Sequence, residues 1–516
     1  MIDLRLSRRR FGGLALGIAA AVALPGCGAL RGQTGELLTT RAPLPARFAV
    51  ALPVPPVLQP VRRTADTDLY EITQRVGRLE ILPGLTTTVL GYNGRFPGPT
   101  IVSRSGRMTK VVHTNELAVP TVVHLHGGHT PADSDGYPTD LVLPVDAVHP
   151  TEADHEHGGD IAYGSREHTY PMQQRAATLW YHDHRMDFTG PAVYRGLAGF
   201  HLVHDDEEAS LPLPADERDI PLMITDRAFE EDGAFRYPAI DPSMTITPGV
   251  EDEHMEGVLG DVVLVNGAPW PELEVDAVRY RFRLLNASNA RRYDLALDPP
   301  PPSGPSFVQI GSDGGLLAAP IEHSHLVIAA AERFDVVIDF SAYPVGTAVT
   351  LRNRLGEGST ASVMRFRVAR SASDGSAIPA VLSEVEPLSP SAAVVRREFR
   401  FTRGAVGDVA GWTINGLEFD PRRADASPAL GQVERWSFVT DVHHPVHAHL
   451  DPFQVVRRGG GSPGPSDAGW KDTVDVRPGE VVEVLVRFTD YAGWFVMHCH
   501  NLEHEDMMMM ANVDTH

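Results

Sequence analysis

The chain has 516 residues, 42% hydrophobic and 22% charged, enough to fill about three domain cores at roughly 150 residues each. Acidic side chains outnumber basic ones 67 to 45, a formal net charge of -22. That balance excludes nucleic acid as an expected partner, because phosphate recognition needs a basic surface.

The first residues read as a targeting segment. Ser7, Arg8, Arg9, Arg10 and Phe11 resemble a twin-arginine export signal. The apolar run that follows, Leu14 to Leu24, is too short to cross a bilayer as a stable helix. Residues 1–27 are therefore expected to be an export signal, sending the mature chain to the periplasm, cell envelope or exterior. Leu24, Pro25, Gly26 and Cys27 partly resemble a lipoprotein cleavage box, although Pro25 fits it poorly. Cys27 is then either a lipid anchor or a residue discarded with the signal. The mature region keeps one cysteine, Cys499, with no second thiol to pair with in an oxidising compartment. Residues 28–60, ending in LPVPPVLQP, read as a Pro-rich arm or linker.

Beyond the arm, helical periodicity is scarce and β-type runs recur. YRFRLLN (280–286), FDVVIDF (334–340), VERWSFV (433–439) and VVEVLVRF (481–488) are rich in β-branched and aromatic residues, and several alternate apolar with polar. The expected class is all-β, with sandwiches favoured by the length over one large barrel. Two composition shifts mark boundaries: DDEEASLPLPADERD (205–219) and the Ser-, Ala- and Pro-rich stretch at 369–393. They divide the chain into domains at 61–207, 208–375 and 376–516. HPTEADHEHGGD (149–160) reads as a solvated acidic loop.

Of 23 histidines, ten fall into four tight groups: His124 and His126; His182 and His184; His444, His447 and His449; and His498, His500 and His504. On a strand, residues i and i+2 share a face, so each His-x-His pair presents two imidazoles to one cleft. In HCHNLEHEDMMMM the alternation goes further: His498 and His500 face one way and Cys499 the other, so one strand touches two metal sites. Cys499 has the company of an electron-transfer copper, namely two imidazoles (His444, His504) and a weak thioether (Met509). Structural zinc normally uses four ligands at more local spacing, and no G-x-S-x-G motif supports a serine hydrolase.

These groups resemble the four copper signatures of the multicopper oxidases, over nearly the whole mature chain. Likeness is closest to the bacterial spore-coat laccase and bilirubin oxidase branch, through YNGRFPGPT (92–100), VVHLHGGHTPADSDGYP (122–138), WYHDHRM (180–186), GLAGFHLVHD (196–205), IGSDGGLL (310–317) and HCHNLEHED (498–506). The resemblance implies three cupredoxin-like Greek-key β-sandwich domains, with copper ligands from the first and third. It implies four coppers. The type 1 copper is held by His444, Cys499 and His504 with Met509 axial, and the type 2 copper by His124 and His447. One type 3 copper is held by His126, His182 and His500, the other by His184, His449 and His498. The neighbours Met507, Met508 and Met510 are expected to pack in the core.

The activity so implied is laccase-like. Small phenolic, aromatic amine or tetrapyrrole donors give single electrons to the type 1 copper, Cys499 passes them through His498 and His500, and O2 is reduced to water. Asp135 and Glu505 match acidic residues assigned to proton delivery in spore-coat laccases. Their bland alternatives are a surface turn acid in DSDG and an ion pair beside the ligands. The competing function is a metal oxidase acting on Cu(I), Mn(II) or Fe(II), although the 13 methionines form no long Met-rich insert. Copper storage would not need an electron bridge, and a copper nitrite reductase would lack the paired type 3 ligands. A monomer is expected, with a small-molecule donor and O2 as partners and membrane contact through Cys27 alone.

Overall fold

Alternating sequence becomes alternating burial in the computed structural model, which describes residues 33–147, 159–406 and 409–516. Residues 1–27 with Cys27, and most of the loop at 149–160, lie outside the described residues. The strand Met108–Asn115 turns every second side chain inward, as one open face demands. Val262–Val265, with four apolar residues in a row, is instead buried on both faces. Each of the four β-type runs singled out in the sequence falls on a strand, with only the last residue of two of them, Phe340 and Phe488, beyond its end.

The main sheets form three pairs along the chain, and the fold is all-β and cupredoxin-like. In the first pair, a five-stranded sheet built on Thr67–Leu79 packs over a four-stranded sheet containing Val123–His126 and Ala177–Asp183. The second pair, built on Asp219–Phe229 and Ser362–Arg370, has the largest core. In the third, a sheet built on Val433–Thr440 packs over Thr473–Val476, His444–Ala448, Gly493–Cys499 and Met510–Thr515. In every pair the opening long strand runs parallel to a later one within an otherwise mostly antiparallel sheet, the mark of a long return connection rather than a plain meander. Among the described residues no helix is long and apolar enough to cross a membrane.

Two segments with linker-like composition do more than connect. In the arm, Glu36–Leu38 pairs in parallel with Val258–Gly260, and Leu38 is buried. Further along the arm, Ala51 bridges to Glu272 and Val57 to Thr100. The prolines supply extended backbone without donors, which suits a single edge-bound strand. The charged stretch at 205–219 contains a short helix, Asp206–Ser210, with Asp205 accepting from Glu208 N–H at 2.7 Å. Glu208 is buried because it pairs with Arg281 at 2.7 Å and Arg283 at 3.0 Å. A charged stretch read as a boundary thus becomes part of a buried ion network between the first two sandwiches.

Candidate metal centre

Strand register builds the site from both ends of the chain. In the first sandwich Val123–His126 lies antiparallel to Ala177–Asp183, placing His124 opposite His182 and Trp180 opposite His126. His184 is fixed just past the strand end, its backbone N–H donating to Val122 at 2.9 Å. In the third sandwich His447 sits opposite His498 and Val446 opposite Cys499. The two edges face each other, so rings from opposite ends of the chain come into contact: His126 stacks on His447 with centroids 3.7 Å apart, and His124 on His449 at 3.8 Å.

Ten histidines and Cys499 resolve into compact groups. His124, His126 and His447 form one; His126, His182 and His500 a second; His184, His449 and His498 a third; His444, Cys499 and His504 a fourth. Within each, the ligating atoms lie within 4.8 Å of one another and every residue is buried. Burial holds the His182 imidazole down at about 3 and that of His184 at about 4, so these two rings keep a free lone pair at neutral pH.

The hydrogen bonds fix which nitrogen is free. His124 Nδ1 donates to the Asp135 carbonyl at 2.6 Å, His182 Nδ1 to the Asp183 carbonyl at 2.8 Å, and His447 Nδ1 to the Asp472 carbonyl at 2.9 Å. Their Nε2 atoms are left buried without a partner, as are both ring nitrogens of His500. His449 Nδ1 donates to Asp135 Oδ2 at 2.6 Å, and His498 Nδ1 to the Cys499 carbonyl at 3.1 Å, with Glu505 Oε2 3.0 Å away. The remaining Nε2 lone pairs of His449 and His498 then point at each other across 3.3 Å, with His184 Nε2 3.2 Å from His498. Lone pairs face to face in a buried site repel unless a cation lies between them. Nitrogens bound to one metal ion at about 2.0–2.1 Å stand roughly 3.3–3.6 Å apart, so the imidazoles fit a metal.

The fourth group has the same logic. His444 Nε2 faces Asp441 at 3.0 Å, and His504 Nε2 donates to the Glu256 carbonyl at 3.2 Å. Both Nδ1 atoms turn inward, 3.0 Å apart, and lie 3.3 and 3.6 Å from Cys499 Sγ. Burial pushes the free Cys499 thiol well above its ordinary value, so a thiolate there needs a bound cation. The indole of Trp412 stacks on His504 at 3.8 Å. Thiolate, two imidazoles and apolar walls suit copper. Of the four methionines, Met509 is fully buried in the same core as Cys499 and accepts its backbone N–H at 3.1 Å. Met507 is half-buried at the edge of that core, while Met508 and Met510 pack with Tyr137 and Phe419.

Both sequence-predicted carboxylates are buried among the ligands. Asp135 is no surface turn acid: it is completely buried, held by the short helix Ala132–Asp135. Gly136 closes that helix at φ +86°, and a Cβ there would lie 2.3 Å from the Val123 carbonyl. Burial, with Asp140 adding to it, raises the Asp135 carboxyl well above its ordinary range. Glu505 sits with Oε1 3.7 Å from His184 Nδ1, on the other flank of the same group. Sequence reasoning missed Asp441, Trp412, Asp472 and Arg333. Asp472 Oδ1 accepts from His126 Nε2 at 3.2 Å, and Arg333 Nη1 donates to that oxygen at 2.7 Å. The one signal for this pair was Gly127, an unexplained glycine next to His126.

A cavity of about 330 Å³ reaches His124 and His449 from the side of His129, Gln174, Arg175 and Trp470. Cys499 is not among the residues that line it.

Family models described as multicopper oxidase match residues 393–516 and 75–153. The chain is 39% identical over 522 residues to a laccase of Bacillus stratosphericus, covering 91% of this chain and 99% of that protein. It is 36% identical over 502 residues to a bilirubin oxidase of Albifimbria verrucaria, covering 90% and 80% respectively. Among solved structures, a multi-copper oxidase from Pediococcus acidilactici aligns with a TM-score of 0.79 at 32% identity, over 93% of each chain.

Proposed function

The chain belongs to the multicopper oxidase family and is a laccase-like, copper-dependent oxidoreductase with O2 as acceptor; on that premise we propose which residues carry the reaction. His444, Cys499, His504 and Met509 hold the copper that accepts electrons. The eight histidines His124, His126, His182, His184, His447, His449, His498 and His500 hold the other three. The observation that carries this reading is the pair of inward lone pairs on His449 and His498, 3.3 Å apart with no donor between them. Copper bound there supplies one-electron chemistry and the four-electron reduction of O2 to water.

The residues contribute geometry and proton handling. Cys499 closes the strand Gly493–Cys499 with His498 before it and His500 just past its end, a covalent path of a few bonds from the donor side to both metal groups that contain His498 and His500. The buried cores around Cys499 keep water off the thiolate. Asp135 holds His449 through Oδ2 while its Oδ1 has no hydrogen-bond partner, so Oδ1 is the atom that can hold and release a proton beside the histidine groups. Glu505 flanks His498 and His184 without a hydrogen bond to either: Oε2 lies 3.0 Å from His498 Nδ1 and Oε1 3.7 Å from His184 Nδ1, so both oxygens are open to a proton.

The donor is a phenol, an aromatic amine or a tetrapyrrole, a reading supported by similarity to laccases and to a bilirubin oxidase. Export by the twin-arginine route is supported by Ser7 to Phe11 and the apolar run behind them. Lipidation at Cys27 rests on the partial cleavage box, and a single chain is proposed as the working unit. Steady-state oxidation of a phenol, bilirubin, Mn(II) and Cu(I), side by side with one copper-loaded preparation, tests the donor. Fast turnover of the organic donors is expected; turnover of Mn(II) or Cu(I) alone would overturn that assignment.

A further inference from the structure

The sandwich that supplies no histidine nevertheless reaches the histidine groups through Arg333. Its side chain is fully buried, and all five guanidinium N–H groups find acceptors. Nε donates to the Thr178 carbonyl at 3.0 Å. Nη1 donates to the Ala331 carbonyl at 3.1 Å and to Asp472 Oδ1 at 2.7 Å. Nη2 donates to the Asp313 carbonyl at 3.2 Å and to Asp472 Oδ2. Thr178 lies in the first sandwich, Asp313 in the second and Asp472 in the third. Asp313 also grips the same segment directly, accepting from the backbone N–H of Asp472 and of Thr473, each at 3.2 Å.

Asp472 transmits this fixation to two ligands at once. Its Oδ1 accepts from His126 Nε2 at 3.2 Å, and its carbonyl accepts from His447 Nδ1 at 2.9 Å. The two rings are stacked at 3.7 Å and 14°. They therefore carry opposite tautomers, and the nitrogens left over, His126 Nδ1 and His447 Nε2, are buried without partners. Gly127 supplies a separate sign of the same design. It has φ +83°, and a Cβ there would lie 2.6 Å from Arg333 Nη2 and 3.0 Å from Asp472 Oδ2. The residue after His126 is a glycine because the ion pair occupies the space a side chain would need.

We propose that Arg333 is a positioning residue for the eight-histidine centre, clamping Asp472 so that His126 and His447 present Nδ1 and Nε2 to two different metal positions. This rests on the copper reading of that centre. A two-pronged grip on a carboxylate needs a planar fork, which lysine lacks, so charge alone does not replace Arg333. Groups that orient metal-bound histidines typically matter about 10- to 100-fold in metal affinity.

The test uses the full chain with Arg333→Met, Arg333→Lys and, should both fold poorly, Asp472→Asn, which keeps the shape and leaves Arg333 in place. Copper binding is titrated, the type 2 electron paramagnetic resonance signal recorded, and the blue absorption of the Cys499 site measured in the same samples. About 10- to 100-fold weaker binding at the histidine centre, a changed type 2 hyperfine splitting and an undiminished blue band are expected. Arg333→Lys should do no better than Arg333→Met. Native copper affinity and an unchanged type 2 signal would overturn the proposal, as would parallel loss of the blue band, which marks general support of the fold. Absence of histidine-bound copper in the unaltered chain would instead sink the copper reading itself.

Discussion

Replacing Asp135 with asparagine separates holding a ligand from moving a proton. The side chain is completely buried, with Oδ2 2.6 Å from His449 Nδ1 and Oδ1 unpartnered. Asparagine has the same shape, and its carbonyl oxygen still accepts from His449. The backbone carbonyl that receives His124 Nδ1 is untouched. What is lost on the holding side is the charge on one hydrogen bond, a drop from about 1.5–3 to about 0.5–1.5 kcal/mol. A loss near 1.4 kcal/mol is about tenfold in copper affinity, which excess copper restores. What is lost on the proton side is not restored by copper, because an amide cannot take up and release a proton at that position. Positioned acid–base groups contribute about 10²- to 10⁴-fold. With all metal positions filled, Asp135→Asn should therefore reoxidise with O2 at least about 100-fold more slowly while its blue absorption stays intact. The assay is single-turnover reoxidation of the fully reduced, copper-saturated protein. Unaltered reoxidation at full copper loading would refute the relay and leave Asp135 as a support for His449.

Glu505→Gln should show the same separation on the flank of His498 and His184, with slowed O2 reduction and an unchanged blue band; unchanged turnover in both variants would remove the relay altogether. Cys499→Ser should abolish the blue absorption and donor oxidation and lower bound copper by one per chain, while the type 2 signal persists; retention of a blue band would place the electron-accepting site elsewhere. Removing copper with a chelator should destabilise the fold, since each ion at 100-fold over its dissociation constant adds about 2.7 kcal/mol and its loss leaves lone pairs opposed. Differential scanning calorimetry should show a drop of several degrees in Tm, reversed by copper, and an identical Tm in both states would contradict the fit of the imidazoles to metal.

The sequence spoke clearly wherever one strand carried the information. The pairs at 124/126, 182/184 and 498/500 were legible because strand alternation turns spacing into a shared face; the structure keeps 124/126 on a strand, sets His184 and His500 one residue past their strand ends, and brings all six rings to one cleft. Met509 stood out by spacing from His504, and burial beside Cys499 separates it from its neighbours. Legibility ended where partners come from distant segments. Arg333 meets Asp472 across 139 residues, and His126 meets Asp472 across 346, so neither residue carries a local mark of its role. Asp135 sits in DSDG, a composition that reads as an exposed turn; only packing of that turn against Val123 and His124 buries it. Proline and charge hid contacts in the same way, since the arm and the 205–219 stretch read as linker and boundary, with no sign of the sheet edge and the two arginines that receive them.

In the proposed reaction electrons enter at Cys499 one at a time and leave at the histidines in fours. The direct measurement is O2 uptake by the copper-loaded chain against a counted one-electron donor, with peroxide assayed in the same vessel. Four donor equivalents per O2, about four coppers per chain and no peroxide are the predicted result. Two equivalents per O2 with peroxide accumulating, or failure to bind more than one copper, would contradict it.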